Sequence, residues 1–426
     1  MNFIKKNIFL TISLIFVVSS CVTIYYSVAD KNVSYLYNPT STGLHPEFYI
    51  YHNSDSVSFL FYNIYRPELL FIKKEEKAKF KQAKILIQYQ LYESLQKSEF
   101  IDSASFKLNV CENGLSNNYI SYIPVKLATG KKGFIDISIS DLNSEKQTSS
   151  LIEVDKTTNN SAQNYLVFDN VKKKPVFKNY FNKNTPFFIK SNRVKTKNLY
   201  VSYYKKKFGV PLPPFDSDPD DKIDFKPDST WYVQNFDTVI FKFQNKGFYR
   251  FQKDTLSNEG LTLFNYGDDY PRVQSAEKLF EPLQYLTSSR EYKKLNAYNN
   301  PKIAVDSLWI LATGNVDRAR ELIRIYYGRV QLANYYFPSL SEGWKTDRGM
   351  IYVVYGIPTM IYKNDSIERW IYGKKAKTMS MDFTFEKTEN PFSNNYYILN
   401  RSDVYDDSWF KAVNTWRSGH VFSIAK

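Results

Sequence analysis

Strict alternation of apolar and polar residues is the feature that most restricts what this chain can fold into. In Ala83-Lys-Ile-Leu-Ile-Gln-Tyr-Gln-Leu-Tyr92, residues Ile85, Ile87, Tyr89 and Leu91 fall on every second position, and Gly133-Phe-Ile-Asp-Ile-Ser-Ile-Ser140 repeats the pattern with polar partners between. Side chains in a strand point to opposite faces in turn, so each run has one face to bury. Phe48–Tyr51, Val57–Tyr65 and Tyr165–Phe168 are further runs, separated by Asn, Ser, Lys and Gly breaks. Short strands at such intervals predict an antiparallel sandwich, placed at residues 44–170.

A second β-rich module is expected over 171–268. Pro186–Lys190, Asn198–Tyr204, Val239–Phe243 and Gly247–Phe251 read as its strands, with Asn245-Lys-Gly247 as a hairpin turn between the last two. Val210-Pro-Leu-Pro-Pro-Phe-Asp-Ser-Asp-Pro-Asp-Asp221 reads as a solvated loop, because proline cannot donate to a ladder. Its acidic residues lack the glycine and the closing Glu of an EF-hand.

The texture changes to helix at Tyr270-Pro271. Ala276, Leu279, Phe280, Leu283 and Leu286 mark one apolar face, interrupted by Pro282. Lys302–Ala312 reads as a second helix. Asn315 caps a third, Val316–Asn334, with an apolar stripe of Ala319, Leu322, Ile323, Tyr326, Val330 and Ala333. This last part, residues 269–426, is expected to be an α+β domain. The fold class is therefore multidomain and mainly β: two antiparallel sandwich-like modules followed by an α+β C-terminal domain.

Residues 1–20 read as a signal peptide. Lys5 and Lys6 precede the apolar run Ile8–Val18, which is too short to span a bilayer. Val18-Ser-Ser-Cys21 then resembles a bacterial lipobox. That resemblance implies cleavage before Cys21 and acylation of it, so that palmitate-like chains anchor the protein in a membrane. Residues 21–43 then become the lipidated Cys and a tether. Surface-exported lipoproteins of the Bacteroidota place acids just after that Cys. None occurs here before Asp30, which points to the periplasmic face of the outer membrane.

Charge and composition narrow the chemistry. Lys plus Arg outnumber Asp plus Glu by 57 to 43, and removal of residues 1–20 leaves a net charge of +12. Lys, Asn, Ile, Tyr and Phe are all plentiful, so this excess reads as compositional bias rather than as a nucleic-acid interface. With two Cys and three His in the chain, neither a disulfide scaffold nor a Cys/His zinc domain is expected. Cys111, in an alternating run, is expected to be a buried small hydrophobe. His45, His52 and His420 share no helix, and no metal or other cofactor is expected.

One motif stands apart. Gly343-Trp-Lys-Thr-Asp-Arg-Gly349 is followed by Met350-Ile-Tyr-Val-Val-Tyr-Gly-Ile-Pro358, then by Arg369-Trp-Ile-Tyr372 and a terminal stretch from Ser402 to Arg417. Over roughly 270–420 this resembles the GWxTD domain of lipoproteins and related envelope proteins of Bacteroidota. The resemblance supplies no established activity. Physically, Gly343 permits a turn that other residues resist, and Trp344 is a large anchor. Thr346 completes the motif, Asp347 can accept backbone N–H groups, and Arg348 can bridge to a carboxylate or to carbonyls. Gly349 and Gly356 would bracket a short strand, Ile351–Tyr355. The motif is then either a turn clamping helix 316–334 against a small sheet or a recognition surface for a partner. Catalysis by Asp347, Asp365, Glu368 or Asp382 is the third option, although no paired spacing marks an acid/base dyad.

Together these features lead us to expect an outer-membrane lipoprotein serving as a non-enzymatic interaction or scaffold subunit of an envelope assembly, in secretion or surface-protein biogenesis. It would have protein partners and no nucleic-acid partner. A glycan- or peptide-binding or hydrolytic lipoprotein is the alternative.

Overall fold

A computed structural model describes residues 27–40, 43–73, 79–114, 116–216, 225–373 and 380–424. Residues 1–20, read from sequence as a signal peptide, and Cys21 lie outside the described residues. Seven strands form the first module: β1 (Glu47–His52), β2 (Val57–Tyr65), β3 (Gln82–Tyr92), β4 (Phe100–Cys111), β5 (Asn118–Lys126), β6 (Lys132–Asp141) and β7 (Lys146–Asp155). They pair antiparallel in two sheets, of order β1-β2-β5 and β4-β3-β6-β7. Ile85, Ile87, Tyr89 and Leu91 are buried as the alternation requires, together with Leu60, Tyr62 and Ile64 of β2 and Ile123 and Val125 of β5. Cys111, expected to be buried, is only half-buried at the end of β4, because it shares the outer face of that strand.

The second module opens with β8 (Leu166–Asp169), which pairs with β9 (Phe187–Lys190). Strands β10 (Leu199–Tyr204), β11 (Ser229–Val233), β12 (Gly247–Gln252) and β13 (Leu261–Asn265) form a sheet of order β11-β10-β12-β13, again antiparallel. Tyr165 and Val167 lie in the core of this module with Ile189, Val201, Phe251 and Leu263. The run Tyr165–Phe168, assigned from sequence to residues 44–170, thus belongs to the second module.

A second expectation fails here. Val239–Phe243 is not a strand, and Asn245-Lys-Gly247 does not close a hairpin with it. Only Phe241 makes an isolated bridge, to Phe187, while β12 pairs with β10 and β13. Burial of Phe241 and Phe243 among aromatic rings explains their apolarity without a ladder. Residues 210–216 form no strand, as the prolines require, but they are not the solvated loop expected. Val210 and Phe215 pack on the C-terminal core and the carbonyls of Leu212 and Pro213 accept from Arg401, while residues 217–221 lie outside the described residues.

The C-terminal domain packs helices on a sheet. Helix α1 (Ala276–Phe280) gives way to a 3₁₀ turn, Glu281–Leu286, at Pro282. After α2 (Ser289–Asn296) and α3 (Pro301–Thr313) comes the long α4 (Val316–Tyr336). Asn315 caps α4 by accepting from the N–H groups of Asp317 and Arg318. Helix α5 (Asp347–Tyr355) leads into the antiparallel meander β14 (Met360–Lys363), β15 (Ile367–Tyr372), β16 (Met381–Lys387) and β17 (Tyr397–Leu399), and α6 (Asp406–Arg417) comes last. No described helix is long and apolar enough to cross a membrane.

The supposed tether departs most from expectation. Residues 28–30 and 34–37 form two 3₁₀ turns, and Val33 and Tyr37 lie in the core of the C-terminal domain. Val33 N–H donates to Ile361 O on the edge strand β14 (2.8 Å), and the Asn32 side chain accepts from Ile361 N–H (3.0 Å). Val28 packs against Tyr92 and Leu95 of the first module, where Ala29 N–H donates to Leu95 O. Described residues 27–40 are thus built into the fold rather than hanging free. Apolar Val28, Val33 and Tyr37 recur along the segment and gain more by burial than a solvated linker could.

Candidate functional site

The motif forms the joint between α4 and α5. Gly343-Trp-Lys345 is one 3₁₀ turn. Thr346 caps α5: its Oγ1 accepts from Gly349 N–H (3.1 Å) and its hydroxyl donates to Gly343 O (2.8 Å). This cap decides against the strand expected over Ile351–Tyr355. All nine residues of Asp347–Tyr355 are buried, so their apolarity carried no helical period to read.

Both glycines are required by space. A Cβ on Gly343 would lie 2.0 Å from Ala333 O in α4, and one on Gly349 would lie 1.9 Å from Gly343 O. The turn is pressed against α4 on one side and against α5 on the other. Trp344 is 4% exposed. Its ring meets Tyr285 edge-on, its carbonyl accepts from the Tyr285 hydroxyl (2.6 Å), and its N–H donates to Asn334 Oδ1 (3.2 Å). Lys345 lies over the Trp344 ring and pairs with Glu281 at 2.9 Å.

Asp347, in the first turn of α5, accepts Leu399 N–H at 2.8 Å on one oxygen and pairs with Arg401 at 2.6 Å on the other. It thereby ties the helix N-terminus to β17, where a carboxylate also suits the helix dipole. Arg348 is 1% exposed. It donates to Glu368 Oε1 (3.1 Å) and to the carbonyl of Asn395 (2.9 Å), and its guanidinium lies over the rings of Tyr397 (4.0 Å) and Phe337 (5.2 Å).

Glu368 is the hub. It is fully buried on β15 and holds Arg348, Lys363, the Tyr37 hydroxyl and the Trp370 indole N–H. Burial pushes its carboxyl up, but Lys363 and Arg348 overcome that and hold it down at about 2. Burial works in the opposite sense on Lys363, and Glu368 overcomes it, raising the ammonium above its usual range. Desolvation and the adjacent Glu368 raise the Tyr37 phenol, so it remains a neutral donor.

The four carboxylates weighed for catalysis all have partners. Asp347 holds Arg401, Glu368 holds the buried cations, Asp382 pairs with Arg369, and Asp365 accepts Leu95 N–H. His45 contacts Glu68, His52 contacts Ser58, and His420 is exposed. Among the described residues no group of three or more His, Cys, Asp or Glu side chains converges on a metal position. Sequence reasoning missed Tyr37, Lys363, Asn395 and Arg401. Nothing in the chain marks them as partners of a motif lying tens to hundreds of positions away.

A mainly β chain thus ends in an α+β domain whose helix joint is closed by a buried Gly-Trp-x-Thr-Asp turn. Residues 247–418 match the family model of the GWxTD domain, and the chain carries that domain at its C-terminus. The match reaches back to β12, further than the resemblance at 270–420. A shared cluster of Phe248, Phe264, Tyr266, Tyr270, Leu340 and Phe392 joins the second module's sheet to the domain. No curated protein matches the chain. Among solved structures, the C-terminal 282-residue fragment of intimin, in complex with the intimin-binding domain of the translocated intimin receptor, is 10% identical. The match covers 84% of this chain and 97% of that one at a TM-score of 0.14, too slight to carry an argument.

Proposed function

We propose that this is an outer-membrane lipoprotein, of the kind found in Bacteroidota, that faces the periplasm and acts as a non-enzymatic interaction or scaffold subunit of an envelope assembly for secretion or surface-protein biogenesis. The observation that carries the reading is the inward orientation of the motif. Trp344, Asp347 and Arg348 are buried and engaged with the protein's own groups, so the domain serves as a rigid body and leaves recognition to other surfaces. Co-purification from the native envelope in mild detergent tests it. Stable protein partners are expected, and recovery as a lone monomer would overturn it.

A second reading, ligand binding by the first module, has its own supporting observation. Phe59, Phe61 and Tyr122 cluster on the outer face of the β1-β2-β5 sheet with centroid separations of 4.5–6.4 Å. Beside them lies a cleft of about 600 Å³ lined by Tyr119, Arg66, Lys174 and Pro175. Such rings present flat apolar faces and the basic groups present donors, a combination that suits glycans or peptides. Loss of glycan or peptide binding in a Phe61→Ala/Tyr122→Ala variant of unchanged stability would support this reading.

A further inference from the structure

The docked N-terminal segment has a geometric consequence. We infer that the end of the molecule carrying the β3–β4 hairpin, Glu93–Ile101, is held against a lipid bilayer, an inference that rests on the reading of Cys21 as the acylated residue. The segment enters the fold at this end: Val28 is buried against Tyr92 and Leu95, and Ala29 N–H donates to Leu95 O (2.9 Å). It is fixed again beyond that point by Val33 on β14 and by Tyr37 in the Glu368 cluster, so slack cannot be drawn from residues 28–37. Only Val22–Ser27 separate Cys21 from the first docked residue. The seven steps from Cys21 to Val28 span at most about 25 Å when fully extended. A compact chain of this length is about 50 Å across, from the usual scaling of radius with length. The connection is therefore shorter than the body is wide, and an acyl chain seated in the bilayer leaves this end nearest to it.

The surface found there fits that neighbour. Phe100 and Ile101 are 48% and 53% exposed at the start of β4, beside the hairpin turn. Glu93 on the same turn pairs with Lys97 and is approached by Lys131 from the β5–β6 turn, so this end carries charges of both signs as well as exposed apolar side chains. Exposed aromatic and aliphatic side chains at an end that also carries such charges suit the headgroup level of a membrane. Asp365, between β14 and β15, accepts Leu95 N–H, so the C-terminal sheet shares the membrane-proximal end.

The test uses the full chain, expressed with its own leader in a Gram-negative host and purified in detergent. Mass spectrometry of the N-terminal peptide first reports whether Cys21 carries acyl chains. In a Cys111→Ser background, a fluorophore is placed at Lys97→Cys or at Val404→Cys. Val404 is 77% exposed and adjoins Tyr405, whose hydroxyl bonds Asp382 at the end of the sheet away from Asp365. Each protein is reconstituted in phosphatidylcholine vesicles containing a brominated-lipid quencher. The inference expects quenching several-fold stronger at position 97 than at 404, and none at either in a Cys21→Ala chain expressed without residues 1–20. Equal quenching, or stronger quenching at 404, on an acylated protein would overturn the orientation alone. Absence of acyl mass on Cys21 would overturn the anchoring reading, and the orientation with it.

Discussion

The Tyr37 hydroxyl donates to Glu368 Oε1 at 2.9 Å across 331 positions of chain, and this bond joins the 3₁₀ turn at residues 34–37 to the centre of the C-terminal domain. The Tyr37 ring lies among Tyr336, Phe337 and Trp370 with centroids 4.8–5.6 Å away. The reverse tie is equally direct, since the Tyr352 hydroxyl donates to Tyr37 O at 3.0 Å. The GWxTD motif therefore shares its core with a residue that no local reading would attach to it.

Tyr37→Phe keeps the ring and deletes the donor. Glu368 retains Arg348 and Lys363, so the expected loss is that of one buried hydrogen bond to a charge, about 1.5–3 kcal/mol. Tyr37→Ala also empties an aromatic site and is expected to cost about 3–5 kcal/mol. Denaturant unfolding ranks the two. Limited proteolysis should cut within residues 27–40 faster in the alanine variant.

Acid should reach this cluster late. Glu368 titrates at about 2 in the fold against an ordinary 4.5, so its ionised form is favoured by folding. A depressed carboxylate stabilises fully above its unfolded value and loses that contribution as pH falls through the folded one. The contribution is thus complete above pH 4.5 and declines toward pH 2. Glu368→Gln removes the counter-charge and leaves Arg348 and Lys363 buried together, at an expected cost of about 3–5 kcal/mol near pH 7. The slope of stability between pH 4.5 and 2 should be reduced in that variant, the remainder coming from carboxylates such as Glu291, which Arg417 also holds at about 2.

How far sequence reasoning could reach depends on the kind of signal each element leaves. β3 and β6 were legible because one face is buried and the other wet, so Ile85, Ile87, Ile135 and Ile137 alternate. Asn315 and the stripe of α4 were legible for the matching reason at helical period. Helix α5 was not, since burial on every side erases periodicity and leaves only Thr346 and Gly349 as a cap signal. Val239–Phe243 misled because aromatic packing alone accounts for its apolar residues. Within the motif, Arg348 does bridge to a carboxylate and a carbonyl, but Glu368 could be named beforehand only as one carboxylate among several. Pairing at such separations depends on the fold, and no spacing encodes it.

The first module has its own acid response, in a different window. His52 is fully buried, its Nδ1 2.9 Å from Ser58 Oγ and its Nε2 2.7 Å from Asp155 O. Desolvation is the main cause lowering its imidazole from 6.5 to about 4, and Lys156 and Arg193 add to it. The unfolded chain therefore binds the proton more readily, and stability falls as pH drops from 6.5 toward 4. The span corresponds to an upper bound of about 3 kcal/mol. Unfolding measured from pH 7 to 4 should show this slope, and His52→Gln should flatten it while leaving the Glu368 window in place.

Glycine substitutions separate the motif from ordinary helix. Gly343→Ala and Gly349→Ala each drive a methyl group into backbone, at Ala333 O and Gly343 O. Backbone cannot step aside as a side-chain tip can, so each should cost about 3 kcal/mol or more, the upper end for overpacking. Gly328 offers the control. It lies within α4, and a Cβ there meets nothing within 4 Å. Replacing it with alanine should stabilise the protein by about 0.5–1 kcal/mol through helix propensity alone. Opposite shifts in melting temperature for Gly343→Ala and Gly328→Ala would establish that the motif glycines are demanded by close packing of α4, the turn and α5. Equal small shifts would show that the joint can open without cost, and that the motif is not a tightly closed core.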